Sequence, residues 1–190
     1  MTSQKAEESL KRTFLSAYDD LLDSSPTKKA IHLLFDMETA YLSPLLGEKP
    51  SIISEVKLGS RFLWDFASFR TSLPERRLHV SFVCLDSPDN VLFTSSGDLS
   101  QAFIKSLRHV NECVAWCKNH KNHLRRNYFP NHPDVHDMKI EGFLVIGRKQ
   151  NFPQDNLSLL RQMQKQLVSI YTYDCIKHLL ESDSEWFKFI

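Results

Sequence analysis

The most strand-like stretch of this sequence reads His79-Val80-Ser81-Phe82-Val83-Cys84-Leu85. Its β-branched and aromatic residues are typical of a strand in a protein core. Two segments of the same texture precede it, Ile52–Val56 and Phe62–Phe69, and Gly59 and the stretch 72–75 separate the three segments. This pattern predicts a three-stranded antiparallel meander.

Helices are predicted on the N-terminal side of the meander. In Lys5–Leu22, apolar residues recur on one side of a helix. Pro26 is suited to the first turn of a second helix that runs towards Leu42. We therefore interpret residues 1–44 as a helical lead.

Helices and strands alternate after the meander. Ser96-Gly97-Asp98 is predicted to cap a long helix that ends near Asn119, and Gly142–Gly147 is typical of a buried strand. Strands that alternate with helices predict a partly parallel sheet covered by helices.

The C-terminal part continues this alternation. We predict a helix over 155–166, a strand over Ser169–Thr172 and a last helix capped by Asp174. The expected organisation is one α/β domain over residues 1–190, with the core over 45–182 and an apolar tail over 183–190.

Composition narrows the class of protein. The 190 residues carry a net charge of +1, so a surface for nucleic acid would have to be a local basic patch. No apolar run reaches the roughly 18 residues of a membrane span, and the polar segment Met1 to Arg12 does not resemble a secretion signal. The four cysteines lie inside predicted strands and helices, which favours a reducing compartment. These features predict a cytoplasmic protein without membrane contact.

Several short motifs follow one another in a recognisable order. Trp64-Asp65-Phe66 is similar to an aspartate in a "DF" pair, and Val83–Pro88 to a strand end of the pattern V-E-I-(E/K)-x-P. Ser106–Trp116 is similar to a helix of the pattern A-L-x-Q-V-x-D-W-x-x-W. The remaining motifs are Ile53–Gly59, Leu92–Ser100, Tyr128–Pro130, Leu144–Arg148 and Thr172–Asp174. In this order, from about residue 28 to 182, they resemble the Shedu-type nuclease domain, a branch of the PD-(D/E)XK restriction-endonuclease-like proteins.

The resemblance implies a fold and an activity. The fold is an α/β, restriction-endonuclease-like mixed sheet flanked by helices, here with a helical N-terminal lead. The activity is Mg²⁺-dependent hydrolysis of DNA phosphodiesters in defence against phage. In such cores, strand carboxylates hold a Mg²⁺ ion that orients water and stabilises charge on the phosphate.

Carried over residue by residue, the resemblance implies Asp65 and Asp86 as catalytic and metal-binding residues. Glu55 is a further candidate carboxylate, although an exposed strand glutamate fits it equally well. Cys84 stands at the position of the family's glutamate and is a poor ligand for Mg²⁺. His109 stands at the position of the helix glutamine, where it would bind metal, move a proton or remain an ordinary polar residue. Asp86 also fits an ordinary turn.

A basic segment follows the long helix. Lys118, Lys121, Arg125 and Arg126 are interleaved with histidines and aromatic residues in what we predict to be a loop, a pattern suited to DNA phosphates and an unstacked base. A solvated loop is the other interpretation. Arg148 would contact phosphate or anchor a loop through a carboxylate.

The departures at Cys84 and His109 leave three functions open. The first is a Shedu-like nuclease that cleaves DNA, and the second is an inactive nuclease fold that binds nucleic acid or supports assembly. The third is a protein-interaction domain that forms homo-oligomers through the N-terminal helices or the apolar tail. A closed zinc site along the helix that carries Cys113 and Cys117 is rejected, because ligands eight residues apart lie about 12 Å from each other.

Overall fold

The computed structural model describes residues 2–46, 51–72, 77–128, 137–149 and 168–182. The N-terminal part contains helices α1 (Thr2–Asp23), α2 (Lys28–Met37) and α3 (Ser43–Leu46), with a 3-10 turn over Thr39–Leu42. The strands are β1 (Ser51–Leu58), β2 (Phe62–Ser72), β3 (Arg77–Leu85), β4 (Asp137–Val145) and β5 (Val168–Tyr171). The other helices are α4 (Gln101–Asn119), α5 (Lys121–Tyr128) and α6 (Tyr173–Glu181).

The five strands form one mixed sheet in the order β1-β2-β3-β4-β5. Strands β1, β2 and β3 are antiparallel neighbours, which confirms the predicted meander. Strands β3, β4 and β5 are parallel, and α4 and α5 lie in the connection from β3 to β4. The predicted class, an α/β mixed sheet with helices and a helical lead, is confirmed.

Each face of the sheet has its own apolar core, and β3 shows why. Leu78, Val80 and Phe82 face the cluster around α4, which we call the α4-side core. Val83 and Leu85 face the cluster formed with α1, α2, α3 and α6, which we call the α1-side core. Successive side chains of a strand point to opposite faces, so a strand covered on both sides has to be apolar throughout.

The β1–β2 hairpin changes faces halfway along its length. Trp64 lies in the α4-side core, whereas Phe66 lies in the α1-side core, although alternation alone would place both on one face. The ladder pairs Ser54 with Phe66 and Val56 with Trp64 but omits Glu55 and Asp65. Glu55 has a φ of 52°, and such an irregularity re-aims the strand.

The distal part of the hairpin, residues 56–64, is called here the hairpin arm. It lies against α4, where Trp64 Nε1 donates to Cys113 Sγ at 2.7 Å and the Phe62 ring lies 6.1 Å from that of Trp116. Tyr128, at the end of α5, donates its hydroxyl proton to the Lys57 carbonyl. The hairpin arm therefore packs against α4. Asp65 lies at the bend, directly after the arm.

Two predicted helix caps were wrong by a few residues. The N-cap of α4 is Ser100, whose hydroxyl accepts from Phe103 N at 3.1 Å, and not Ser96-Gly97-Asp98. The N-cap of α6 is Thr172, which accepts from Cys175 N at 3.2 Å, so Asp174 lies in the first turn. An N-cap side chain serves the N–H groups two or three residues ahead, and the cap is therefore set by where the helix begins.

The predicted basic loop is also wrong over its first part, which is helical. Helix α4 continues to Asn119 and α5 follows almost directly, because Leu124 gives this polar segment one fully buried anchor. The second helix ends at Met37 and not at Leu42, and β4 begins at Asp137. The predicted helix over 155–166 and the tail over 183–190 lie outside the described residues. No helix in the described ranges combines the length and apolarity required to cross a membrane.

Candidate active site

Asp65 occupies the bend of the hairpin, and its side chain is 14% exposed. Its Oδ2 atom accepts a hydrogen bond from Leu85 N at 2.8 Å and lies 2.9 Å from the ammonium of Lys28. Its carbonyl oxygen lies 3.2 Å from Nε2 of His32. Asp65, the aspartate that the resemblance implied as a site residue, is thus held by contacts with β3 and α2.

The hydrogen bond to Leu85 has a structural cause. The ladder between β2 and β3 begins with the pair of Phe66 and Val83, so Leu85 N lies beyond the last paired residue of β2. A buried N–H without an acceptor costs about 1–3 kcal/mol. The carboxylate of Asp65 supplies that acceptor. Asp65 therefore satisfies the backbone of β3 at the point where the hairpin bends away from it.

Asp86 follows β3 directly and is held from several sides. Its Oδ1 accepts from Ser87 N at 2.7 Å and from Asn90 Nδ2 at 3.0 Å, and its Oδ2 accepts from the hydroxyl of Ser106 on α4. The backbone is anchored as well, since Tyr173 OH donates to the Asp86 carbonyl at 2.5 Å. Both carboxylate oxygens therefore already accept hydrogen bonds from the protein.

Cys84 is a half-buried thiol close to both aspartates. Burial raises its pKa, Lys28 lowers it, and the charges of Asp65 and Asp86 raise it again, with a net change from 9.0 to about 12. At neutral pH the group is therefore an uncharged thiol that packs against the α4-side core. A glutamate, which the resemblance implies at this position in the family, would contribute a charged oxygen ligand, whereas Cys84 presents a neutral sulfur.

Lys28 is a member of this cluster that sequence reasoning missed. Burial by itself lowers its pKa, but the attraction of Asp65, together with smaller effects of Cys84 and Asp86, outweighs burial and raises it. The ammonium is therefore fully charged at neutral pH. No local motif marks Lys28, because its partner lies on a different element far along the chain.

Glu55 and His109 lie at the edge of the cluster. Glu55 is exposed beside the bend, on the strand opposite Asp65. His109 is exposed on α4, with its ring 5.8 Å from that of Phe62 on the hairpin arm. Ser106, one turn earlier on α4, provides the helix contact to Asp86. The structure thus brings Asp65, Cys84 and Asp86 together and places His109 against the arm.

The predicted nucleic-acid contacts fall into two places. Lys118 is in the last turn of α4, and α5 carries Lys121, Arg125 and Arg126. Lys121 lies 3.2 Å from Asp137 at the start of β4, whereas Arg148 follows the end of that strand. Because a strand advances about 3.3 Å per residue, the two ends of β4 lie about 26 Å apart.

Arg148 lies beyond the end of β4, at the opposite end of this strand from Lys121. Its side chain is 18% exposed and contacts Asp23 at 3.1 Å and Asp174 at 3.3 Å. It also donates to the Leu22 carbonyl at 3.2 Å. Of the two roles considered for Arg148, the contacts are those of an anchor that ties the end of α1 to the start of α6.

In a comparison with family models, the chain matches the family described as "Shedu protein SduA, C-terminal" over residues 6–176. The chain belongs to this family. The resemblance read from the motifs is therefore confirmed. A search of curated protein sequences gave no match. Among solved structures, the chain is similar to the restriction endonuclease FokI bound to DNA, with a TM-score of 0.47 and 13% identity. That match covers 85% of this chain and 26% of the FokI chain, so the chain spans about a quarter of that structure's length.

The Shedu resemblance implies Mg²⁺, and the residues present can be tested against that ion. Mg²⁺ requires several hard oxygen ligands in near-octahedral order. At Asp65 one oxygen already carries an ammonium and an N–H, at Asp86 both oxygens are engaged, and Cys84 is a neutral sulfur. Within the described ranges no three His, Cys, Asp or Glu side chains are placed to share an ion. This arrangement of Asp65, Cys84 and Asp86 does not fit Mg²⁺.

Proposed function

We propose that this Shedu-family chain is a nuclease-fold protein that binds DNA in the cytoplasm, in defence against phage, and that metal-dependent hydrolysis of phosphodiesters has been lost. One observation carries the second half of the proposal. The ammonium of Lys28 forms an ion pair with the carboxylate of Asp65. The carboxylate of Asp86 accepts hydrogen bonds from Ser87, Asn90 and Ser106. The carboxylates that would hold Mg²⁺ are thus bound to donors of the protein itself.

DNA binding is supported by the family and by local charge. The net charge of +1 gives no general attraction to DNA, but the end of α4 and α5 carry the four cations Lys118, Lys121, Arg125 and Arg126. Cations on neighbouring helical turns can follow a phosphate backbone. The Trp116 ring is stacked on that of His120, with 4.4 Å between centroids. Aromatic side chains of this kind can stack on an unpaired nucleic-acid base.

A retained Mg²⁺-dependent endonuclease is the second candidate. It is favoured by the nearness of Asp65 and Asp86 to Cys84, whose pKa both carboxylates raise. In that case Lys28 would have to leave Asp65 when DNA and metal bind, and Glu55 or His109 would supply the missing contact.

An interaction module is the third candidate. Helices α1 and α2 expose Leu10 at 63%, Leu33 at 51% and Met37 at 80%. Apolar side chains on adjacent helices are suited to a protein partner or a second copy of the chain.

A single set of assays separates these functions. The purified chain is incubated with supercoiled and linear DNA in Mg²⁺ or Mn²⁺, and DNA retention is measured over a range of salt concentrations. The variant Asp65→Asn removes the charge but keeps an oxygen for Leu85 N, and Asp89→Asn, at an exposed aspartate of the turn after β3, is the matched control.

The proposal predicts no cleavage by any of the three proteins and retention that weakens as salt rises. Cleavage that disappears in Asp65→Asn and persists in Asp89→Asn would contradict the proposal and identify an active nuclease. Neither cleavage nor retention would also contradict it and would favour the interaction module.

A further inference from the structure

We propose that Lys28 is a built-in counter-cation that takes the place of a metal ion at Asp65 and keeps divalent cations out of the site. The inference rests on the proposed loss of metal-dependent hydrolysis and gives it a cause. It assigns to one residue of the helical lead a specific effect on the candidate active site.

The position of the ammonium carries the first step. Nζ of Lys28 lies 2.9 Å from Oδ2 of Asp65, and the same oxygen accepts from Leu85 N at 2.8 Å. A Mg²⁺ ion binds carboxylate oxygens at about 2.0–2.1 Å. On Oδ2 it would have to displace the ammonium, and on the other oxygen it would remain within a few ångströms of a like charge, which repels it.

The second step is that Lys28 is held in place by the fold. It is the first residue of α2, whose N-cap Thr27 accepts from Ala30 N at 3.3 Å. The helix is anchored in the α1-side core by Ile31 and Phe35, which are both fully buried. The start of α2 is therefore fixed relative to the sheet, and with it the backbone of Lys28.

A second contact from the same helix face strengthens this placement. His32 lies one turn after Lys28, so both side chains are on one side of α2. Nε2 of His32 lies 3.2 Å from the Asp65 carbonyl oxygen, and its ring stacks on Phe66 with 4.7 Å between centroids. Helix α2 thus contacts both the side chain and the backbone of Asp65, and the Lys28 side chain that makes the first contact is itself 45% exposed.

The third step concerns charge. Within the cluster, the carboxylates of Asp65 and Asp86 are accompanied by one ammonium and by hydrogen-bond donors. Removing that ammonium leaves the Asp65 carboxylate, at the bend of the hairpin, with the hydrogen bond from Leu85 N but without this cation. Because Mg²⁺ often binds through one or two carboxylates and keeps several water ligands, an ion from solution can then take the place of the ammonium at Asp65.

The test is a metal titration without DNA. Full-length wild type, Lys28→Met and Lys29→Met are freed of metal, and the Tm of each is measured with increasing Mg²⁺ or Mn²⁺. Methionine retains much of the length and the apolar stem of lysine. Lys29 is the adjacent lysine of α2 and is exposed like Lys28, so Lys29→Met is the matched control. Lys28→Arg keeps the positive charge.

We expect the Tm of Lys28→Met to rise with metal and the Tm of wild type, Lys29→Met and Lys28→Arg to stay unchanged. Adding Asp65→Asn to Lys28→Met should abolish the rise. Should Lys28→Met fail to fold, Lys28→Gln, whose amide can still donate to Asp65, takes its place in the same titration.

Two outcomes would overturn the inference. If folded Lys28→Met shows no metal effect, the pair is structural only, while the proposed function stands, because it concerns DNA binding and cleavage by the wild type. If wild type binds metal as tightly as Lys28→Met, Lys28 excludes nothing. Cleavage by wild type is measured separately, so failure of the proposed function is distinguishable from either result.

Discussion

Cys84 illustrates how the type of one residue changes the ligands and charges available at the end of a strand. It stands where the resemblance implies a glutamate in the family, close to Asp65 and Asp86, and burial is the largest cause of its raised pKa of about 12. A thiolate would be the nucleophilic form of this residue, yet the surrounding carboxylates disfavour it. Cys84 is therefore expected to be chemically inert in the folded protein.

This leads to a pH-dependent labelling prediction. A rise in pKa from 9.0 to about 12 reduces the thiolate fraction at pH 8 about 1000-fold. In the native protein, alkylation of the Cys84 peptide by iodoacetamide, followed by mass spectrometry, should be much slower than that of an ordinary thiol, although the greater nucleophilicity of a thiolate of higher pKa offsets part of this factor. Its rate should keep increasing above about pH 10, where an ordinary thiol of pKa 9.0 levels off.

The same peptide labelled in urea provides the control, because unfolding removes the burial and the neighbouring charges. Rapid labelling of Cys84 in the folded protein at pH 7.5 would show that the thiol is accessible and ionised, contrary to the environment described.

At the scale of elements, the packing of α4 onto β4 depends on the absence of a side chain at Gly142. A Cβ atom there would lie 2.7 Å from Cγ2 of Val114 and 3.0 Å from Cγ1 of Val110. Both valines are fully buried. The helix that contributes Ser106 to the site is therefore seated directly on the backbone of β4.

The variant Gly142→Ala should lower the free energy of unfolding by about 1–3 kcal/mol, because the added methyl group overpacks this contact. Val114→Ala alone should also destabilise the protein, since it leaves a cavity. In the double variant the new methyl group occupies part of that cavity. Urea unfolding should therefore show that the double variant is destabilised by less than the sum of the two single effects, and an additive result would contradict the proposed clash.

The bend of the hairpin is the second element-scale feature that shapes the site. Because Glu55 and Asp65 drop out of the ladder together, the arm turns over α4, and the pairing of β2 with β3 stops at Val83, before Leu85. The carboxylate of Asp65 then fills a gap in the sheet. A structural role and a candidate ligand role thus coincide in one residue, which is why Asp65→Asn is a more informative substitution than Asp65→Ala.

At the scale of the whole molecule, the five basic residues that were predicted to contact DNA are divided between the two ends of the sheet. The cations of α4 and α5 lie near the start of β4, as the contact of Lys121 with Asp137 shows. Arg148 lies beyond the end of β4 and joins α1 to α6 through Asp23 and Asp174. Of these two groups, the first is the one placed to form a continuous surface for phosphates.

Substitution of Lys118 and Arg126 by glutamine should therefore weaken DNA retention. The slope of log K against log salt should become smaller by about one for each phosphate that the variant no longer neutralises. Arg148→Gln should leave that slope unchanged and lower the Tm, because it releases the tie between two helices. A smaller slope in Arg148→Gln, with an unchanged Tm, would place DNA at the opposite end of the sheet.

Part of this architecture was readable from the sequence. The β-branched and aromatic segments predicted β1, β2 and β3 closely. The aspartate between Trp64 and Phe66 was predicted as a metal ligand, and the bend at this position was not predicted. Helix α5 was predicted as a loop and so was missed, because a segment rich in lysine, arginine and histidine has the composition of a loop and its one fully buried side chain is Leu124. The caps of α4 and α6 were misplaced, because several serine, threonine and aspartate residues near each helix start meet the same local requirement.

What the sequence determined by itself is therefore local or ordered along the chain: the periodicity of the strands, the order of the family motifs, and the substitutions at Cys84 and His109. Only the tertiary structure decided the partners of those residues. Lys28 reaches Asp65 because α2 is seated in the α1-side core, and Ser106 reaches Asp86 because α4 packs on Gly142. Hydrogen bonds and ion pairs act over about 3 Å, and contacts at that range between distant segments are set by how the helices pack on the sheet.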